Sequence, residues 1–591
     1  MRALDDPLTL RAFYFECLTK LTVLDPTVGS GAFLFAAMNI LEPLYEICLD
    51  KMPQWAGPKY AYADFKAELA RIADHPNRRY FIFKNIIVNN LYGVDIMEEA
   101  TEICKLRLFL KLVAQIDDAN HVEPLPDIDF NIRAGNTLVG YASLAEVEQA
   151  ASRSLFNVNL PQKIREADVA IRAFRELQTR IGIRARALAQ AKADTQAKLE
   201  EIEKELNEAL RAEYGAKKLD QFVASHQPFH WYVEFNSIMQ DGGFDVIVGN
   251  PPYVEYGKVK ESYTVIGYRT ESCGNLYAFT AEQSLSLLHN EGRLGLIIPV
   301  SFASSGAFGA LRDVFWEIRR TLWLSHFSNR PGQLFAGAQN RLTVVLAGPT
   351  GVQPFAFSTR FYRWDAKGGE RDALFRLLQY VSLGRLAREF SGLFPKIGTI
   401  EAVEVLSKIG SEHPIAEHLA ESGTHRIYWV RVPGYFCQFF LAPPKARPEK
   451  GGPERVRGEV NSVAVKTEKE QRVLHAILNS STYYLFYCAY TDVRHINPSD
   501  VLEFPLDLKA FDPEIVASLS KLSLKLEKSM TANTAQWRKS GLLIDSVDSR
   551  PAKPIIDEID RALARHYGFT DEELGFIINY DIKYRMGKDD G

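Results

Sequence analysis

Cysteine is scarce in this 591-residue chain, and its six copies (Cys17, Cys48, Cys104, Cys273, Cys437 and Cys488) are scattered without a Cys-x-x-Cys pair. That pattern argues against a disulfide framework or a zinc site and for a reducing compartment. Histidine offers one metal-like spacing, His226 and His230, but no neighbouring cysteine or acid completes a ligand set, so no metal is expected. No run approaches 18 apolar residues, and the N-terminus lacks the charged-then-apolar pattern of a signal peptide; the expectation is a cytoplasmic protein with no membrane partner. Net charge is also nearly absent, at −4 with a pI near 6.4. Any nucleic-acid partner must therefore be met by a local basic surface. Internal repeats are absent as well.

What is present is the composition of an ordinary globular protein, 46% hydrophobic and 24% charged. Its length exceeds one hydrophobic core and predicts two to four domains. Leu21–Asp25 reads as a strand that breaks into Pro26-Thr-Val-Gly29-Ser-Gly31 and then a helix from Ala32. Strand, glycine turn and helix open a doubly wound α/β domain. A second unit follows at Leu91-Tyr-Gly-Val-Asp95-Ile96 with a helix over 98–113, and a third strand end at Phe130–Leu138. Residues 161–217 are rich in Ala, Glu, Lys, Arg and Gln and almost free of Gly and Pro, which predicts a helical hairpin insertion with a solvated charged face. The α/β pattern resumes with strands at 244–248, 293–299, 322–327 and 342–347. The expected fold class is thus α/β, one open sheet of seven strands, mostly parallel and Rossmann-like. Beyond about 390 the chain turns to short aromatic-rich strands, a Pro/Gly/Lys/Arg loop over 443–458 and a helix near 468–484, and beyond about 510 it reads as helical. Residues 421–475 hold ten Lys or Arg against six Asp or Glu, a local charge of +4.

Two positions could serve a ligand in such a fold. A glycine turn after the first strand admits close approach to backbone amides, and an acid ending the second strand can hold both ribose hydroxyls. Gly29, Gly31 and Asp95 occupy those places. Asp95 could equally cap the following helix, and the glycines could form an unliganded turn. The third glycine of the dinucleotide fingerprint is missing, which weighs against NAD. At the end of a later strand stand Asn250-Pro251-Pro252-Tyr253: an amide, a proline-flanked carbonyl and an aromatic face that together could hold a planar base by its amino group. The same four letters also make an ordinary strand-to-turn stop.

In order, Asp25-Pro26-Thr-Val-Gly29-Ser-Gly31-Ala-Phe33, Tyr-Gly-Val-Asp95-Ile96, Gly-Asn136-Thr-Leu and Asn250-Pro251-Pro252-Tyr253 resemble the gamma-group N6-adenine DNA methyltransferases, above all the large methylase subunits of type IIG and related phage-defence systems. The similarity runs from about Leu21 to Gly348, with a weaker echo to about Pro505. It implies S-adenosyl-L-methionine as cofactor, with Asp25, Gly29 and Gly31 against its methionine portion, Pro26 and Phe33 also among the cofactor-binding residues, Asp95 on the ribose, and Ile96 or Asn136 beside its adenine. Asn136 could instead bond its own backbone. The implied reaction is direct methyl transfer to the amino group of an adenine flipped out of double-stranded DNA. Asn250 and the Pro251 carbonyl would accept that group's hydrogen bonds, and Tyr253 would stack on the base. The resemblance further implies five segments: the two halves of the methyltransferase core (1–160 and 218–389), the helical insertion (161–217), a mixed α+β target recognition domain (390–510) and a C-terminal helical region (511–591).

Two departures qualify this. The family's Gly-x-x-Tyr-Thr-Pro-like element before the first motif is not matched, so the expectation is a truncated or split enzyme completed by a second polypeptide, or an incomplete cofactor site. Val28 stands where cysteine is common, a tolerable apolar change. No nuclease arrangement is visible. The rival readings are a catalytically silent DNA-binding or scaffold subunit of a defence complex, and a methyltransferase acting on protein glutamine or on RNA.

Overall fold

The computed structural model describes residues 2–57, 62–73, 75, 77–116, 125–153, 160–178, 185–335, 339–364, 370–410 and 413–587. The chain divides into two compact units. The first comprises Met1–Ile298, Asp313–Leu322 and Val344–Pro354, and the second comprises Pro299–Arg312, Trp323–Thr343 and Phe355–Gly591.

The main sheet is built from β1 (Val23–Asp25), β2 (Leu91–Asp95), β3 (Ile132–Ala134), β4 (Phe244–Gly249), β5 (Leu288–Pro299), β6 (Arg320–Phe327), β7 (Leu342–Thr350), β8 (Phe355–Tyr362) and β9 (Val381–Ser382), in the order β3-β2-β1-β4-β5-β7-β6-β8-β9. The expected seven strands are all present, but the sheet has nine among the described residues. The two unforeseen ones, β8 and β9, pair antiparallel, Phe357 opposite Ser382. The sheet is therefore mixed rather than a seven-stranded Rossmann-like array.

In the first unit, β1 to β5 are parallel wherever they pair: β1 takes β2 on one side and β4 on the other, β3 follows β2, and β5 follows β4. Buried on both faces, such strands read as continuous apolar runs, as Leu21–Asp25 and Phe244–Gly249 do. Thr22 fastens β1 to β4 beyond the ladder, its amide and hydroxyl both donating to the Asp245 carboxylate at 2.9 Å. Helices α1 (Ala32–Lys51) and α2 (Glu98–Val113) follow β1 and β2. The segment Ala32–Gln54 is long and apolar enough to cross a membrane, which the absence of an unbroken apolar run had not suggested. Its Leu34, Met38, Leu41, Tyr45 and Cys48 are nevertheless buried in the core of this unit, where a face of that composition belongs.

The expected hairpin is present as α3 (Leu160–Gln178) and α4 (Ala185–Glu213), its connection lying outside the described residues. Ile164, Ile171 and Phe174 of α3 join Leu199, Ile202 and Leu206 of α4 in a core shared with Phe130, Val139 and Tyr141. Outside that seam the charges pair with each other, as Lys163 does with Glu201 and Glu205 at 2.7 Å.

The second unit contains two small sheets. One is ordered β10-β15-β11-β12 (Leu419–Ala420, Val460–Val465, Arg426–Val430 and Phe439–Phe440), the other β14-β13-β17-β16 (Arg455–Val456, Lys445–Pro448, Leu542–Val547 and Thr534–Lys539). The helix foreseen near 468–484 is two, Glu468–Leu478 and Ser481–Tyr490. Asn479 ends the first and Ser480 caps the second, its hydroxyl accepting from the Tyr483 amide at 3.0 Å. The β16–β17 hairpin interrupts what read as a helical C-terminal region. Every residue of β16 is exposed, so no apolar alternation marked it as a strand.

Candidate active site

The site forms where β1, β2 and β4 end. Their parallel register places three carboxyl ends side by side, although the first and last lie more than 220 residues apart in sequence. After β1 the chain turns through Gly29 (φ 49°) and Gly31 (φ 82°), left-handed positions suited to glycine. A β-carbon on Gly31 would also lie 2.6 Å from Cys104 Sγ on α2. The turn is tied to the next strand twice, by the Val28 amide donating to the Val94 carbonyl at 2.9 Å and by the Gly29 amide donating to Asp95 at 2.8 Å.

The second Asp95 oxygen accepts from the Met97 amide at 3.0 Å. Asp95 is not the cap of the following helix, whose N-cap is Met97 without a side-chain cap bond; it makes a local turn bond instead, while its bond to Gly29 locks the loop of the neighbouring strand. Each carboxylate oxygen keeps a further lone pair for a ligand. Asp25 is fully buried, accepts from the Thr27 amide at 3.1 Å, and has its pKa pushed up to about 7 by burial and by the nearby Asp95 charge.

A cavity of about 260 Å³ opens beside these ends. Of the predicted residues, Pro26, Asp95, Ile96, Asn136, Asn250 and Pro252 line it; Asp25, Gly29, Gly31, Phe33, Pro251 and Tyr253 do not. Asn136 is buried and its Oδ1 accepts from the Leu138 amide at 3.1 Å, the local bond foreseen as an alternative. Its Nδ2, however, is buried without a partner, as is Thr27 Oγ1 on the same cavity wall. Native interiors seldom leave such atoms unpaired, so both suit a bound ligand.

Asn250 leaves β4 exposed, and Tyr253 Oη lies 2.5 Å from its Oδ1 and 2.7 Å from the Ile297 carbonyl on β5. A phenol carries one proton and cannot donate to both. Exchanging the ends of the Asn250 amide satisfies every group: Nδ2 donates to Tyr253 Oη, Oη donates to Ile297, and Oδ1 is released to accept from a ligand. Burial raises the Tyr253 pKa, which keeps the phenol in its donating form. Its ring meets Tyr277 edge-on at 6.2 Å.

Sequence reasoning missed Thr27, Met97, Thr137, Leu138, Tyr263, Leu276 and Thr280 on the wall. Thr27 stood inside a motif. Leu276 and Thr280, one helical turn apart on the helix Leu276–Ser286, carried no signal, because tertiary packing brings that helix to the cavity. His226 and His230 do not share a site: His226 bonds Thr264 at 3.1 Å, whereas buried His230 bonds Asn207 at 3.1 Å.

A strand-end acid, Asp95, and an exposed amide, Asn250, thus meet at one cavity of an α/β domain, beside a tight glycine turn. Residues 89–335 match the family model described as "Eco57I restriction-modification methylase", with Asp95, Asn136 and Asn250–Tyr253 inside the match. A Methanocaldococcus jannaschii protein bearing the name of a type II restriction enzyme and methyltransferase, RM.MjaORFECS2P, is 29% identical over 392 residues. The alignment covers 56% of this chain and 30% of that protein, so the chain spans under a third of this relative's length. Among solved structures, the type IIL restriction-modification enzyme MmeI in complex with DNA is 10% identical, with a TM-score of 0.44 over 99% of this chain and 75% of that one. The ATP-dependent type ISP enzyme LlaBIII bound to DNA is 10% identical, with a TM-score of 0.40 over 98% and 44%.

Proposed function

We propose that the chain is a site-specific DNA adenine-N6 methyltransferase of a restriction-modification or phage-defence system, acting in the cytoplasm on double-stranded DNA with S-adenosyl-L-methionine. The observation that carries this reading is the single cavity in which Asp95, the unpartnered Asn136 Nδ2 and Thr27 Oγ1, and Asn250 converge. Those residues fit the cofactor: Asp95 offers acceptor oxygens for ribose hydroxyls, and Asn136 offers a donor for a ring nitrogen.

When bound, S-adenosylmethionine supplies an electrophilic methyl group on a cationic sulfur. This chain's residues prepare the other reactant. The adenine amino nitrogen is a poor nucleophile because its lone pair is delocalised into the ring. Asn250 Oδ1 and the Pro251 carbonyl accept its two protons in hydrogen bonds, which favours a pyramidal nitrogen with a localised lone pair. Positioning and charge placement then supply the acceleration. Because the amino group is paired inside a duplex, the base must leave the stack, and the Tyr253 ring offers it a face. Residues 390–510 serve as the target recognition domain and 161–217 as an insertion into the core.

The test is transfer of tritiated methyl groups to duplex DNA, protein and RNA in parallel. Asn250→Ala should abolish incorporation into DNA while leaving cofactor affinity nearly intact. Label entering protein or RNA instead would replace the substrate assignment. Failure of the wild-type chain to bind the cofactor would leave the silent-subunit reading.

A further inference from the structure

The second unit contains a cavity of about 370 Å³ that the methyl-transfer reading does not use. Arg330, Arg341, Arg363 and Arg494 line it together with Tyr487. Arg363 is ion-paired with Asp581. Among the described residues Arg330, Arg341 and Arg494 have no carboxylate within ion-pair distance, and the nearby Asp492 carboxylate instead accepts from the backbone amides of Arg494 and His495 at 2.8 and 3.2 Å.

The geometry points to a phosphate-binding site. Arg330 and Arg494 are exposed at the mouth, Arg341 is half-buried, and Tyr487 is only 1% exposed. Two donor groups inside lack partners, Arg341 Nε and Tyr487 Oη. Partial burial pulls the Arg341 pKa below its ordinary value, more than the nearby Asp492 charge raises it. Converging guanidinium forks with a phenol supply more donors than the two oxygens of a carboxylate can use, and they match a tetrahedral oxyanion. The oxyanion could come from a free phosphate or from a DNA backbone. The second source rests on the proposed function, and the loop 492–495 lies in the segment assigned there to target recognition. Such a contact would set the position of the duplex without reading its sequence.

The experiment uses the full chain as wild type, Arg341→Gln and Arg494→Gln. Arg494 is exposed, so its variant is expected to fold regardless of the fate of the other. Binding of a labelled duplex is followed by fluorescence anisotropy over a salt series, cofactor affinity by calorimetry, and melting temperature with and without inorganic phosphate. Loss of one phosphate contact should lower the slope of log affinity against log salt by about one in each variant, with cofactor affinity unchanged. If wild type binds no duplex, yet phosphate raises its melting temperature and not that of Arg341→Gln, the site stands with free phosphate as its source and only the DNA reading fails. Slopes and phosphate responses equal to wild type in both variants would overturn the proposal.

Discussion

Replacing Asp25 with asparagine isolates one buried charge. The Asp25 carboxyl is fully buried at the end of β1, and its pKa stands at about 7 against an ordinary value of 3.8. Between those values the folded form holds a proton that the unfolded chain has released. Stability therefore falls as pH rises through this window and is level above it. At about 1.4 kcal/mol per unit, the buried carboxyl costs roughly 4 kcal/mol at pH 8 and about 2 kcal/mol at pH 5.5. The Asp25→Asn variant would carry no such cost, and any lost hydrogen bond would add an offset that does not vary with pH. For a unit of this size about 1.5 °C corresponds to each kcal/mol, so the variant's advantage in melting temperature should widen by roughly 3 °C between pH 5.5 and 8. Differential scanning calorimetry of both proteins across that range measures it. Parallel curves would show that the carboxyl is already ionised at pH 5.5 and refute the reasoning. The same proton bears on ligand binding: a cation seated nearby should favour ionised Asp25 and release a fraction of a proton near pH 7, visible as buffer-dependent binding heats.

Tyr253→Phe keeps the ring and removes the hydroxyl that links Asn250 to Ile297. A lost neutral hydrogen bond of about 1 kcal/mol and a freed amide should lower kcat by roughly tenfold with cofactor affinity unchanged, as steady-state methylation and calorimetry would show. A parallel fall in cofactor affinity would instead mark Tyr253 as part of the cofactor cavity. Gly31→Ala must hold φ near 82° and press on Cys104, so a loss of about 2 kcal/mol or more in urea unfolding is expected; wild-type stability would mean that the turn relaxes freely. Leu206→Ala empties a 1%-exposed position in the hairpin seam and should cost about 2–5 kcal/mol, whereas a negligible effect would show that the insertion adds nothing to the core.

Asp95 and Asn250 were legible because each closes a strand whose apolar run is visible, and a doubly wound sheet gathers its carboxyl ends. The same logic located Asn136 at a third strand end, but not the stranded Nδ2, which depends on how Leu138 and the residues near Gln227 fold over it. Thr280 and Tyr263 were illegible for a related reason: they reach the cavity through packing, Thr280 from a helix face and Tyr263 from irregular chain, and no periodicity encodes either approach. The β8 strand escaped notice because Phe355–Tyr362 lies beyond the last expected strand and pairs antiparallel with a two-residue partner. The β16 strand carries no buried residue, so only backbone pairing with β17 defines it.

The register of β1 also sets a timetable. Its far neighbour β4 is joined to it through Thr22 and Asp245, 223 residues apart. At ribosomal rates of about 5–20 residues per second, β1 waits roughly 10–45 s for that partner, holding only β2 on its other side. The hairpin α3–α4 emerges within that interval and can bury its own seam early. The strand end that carries the glycine turn thus gains its second neighbour only once the strand leading to Asn250 has been synthesised.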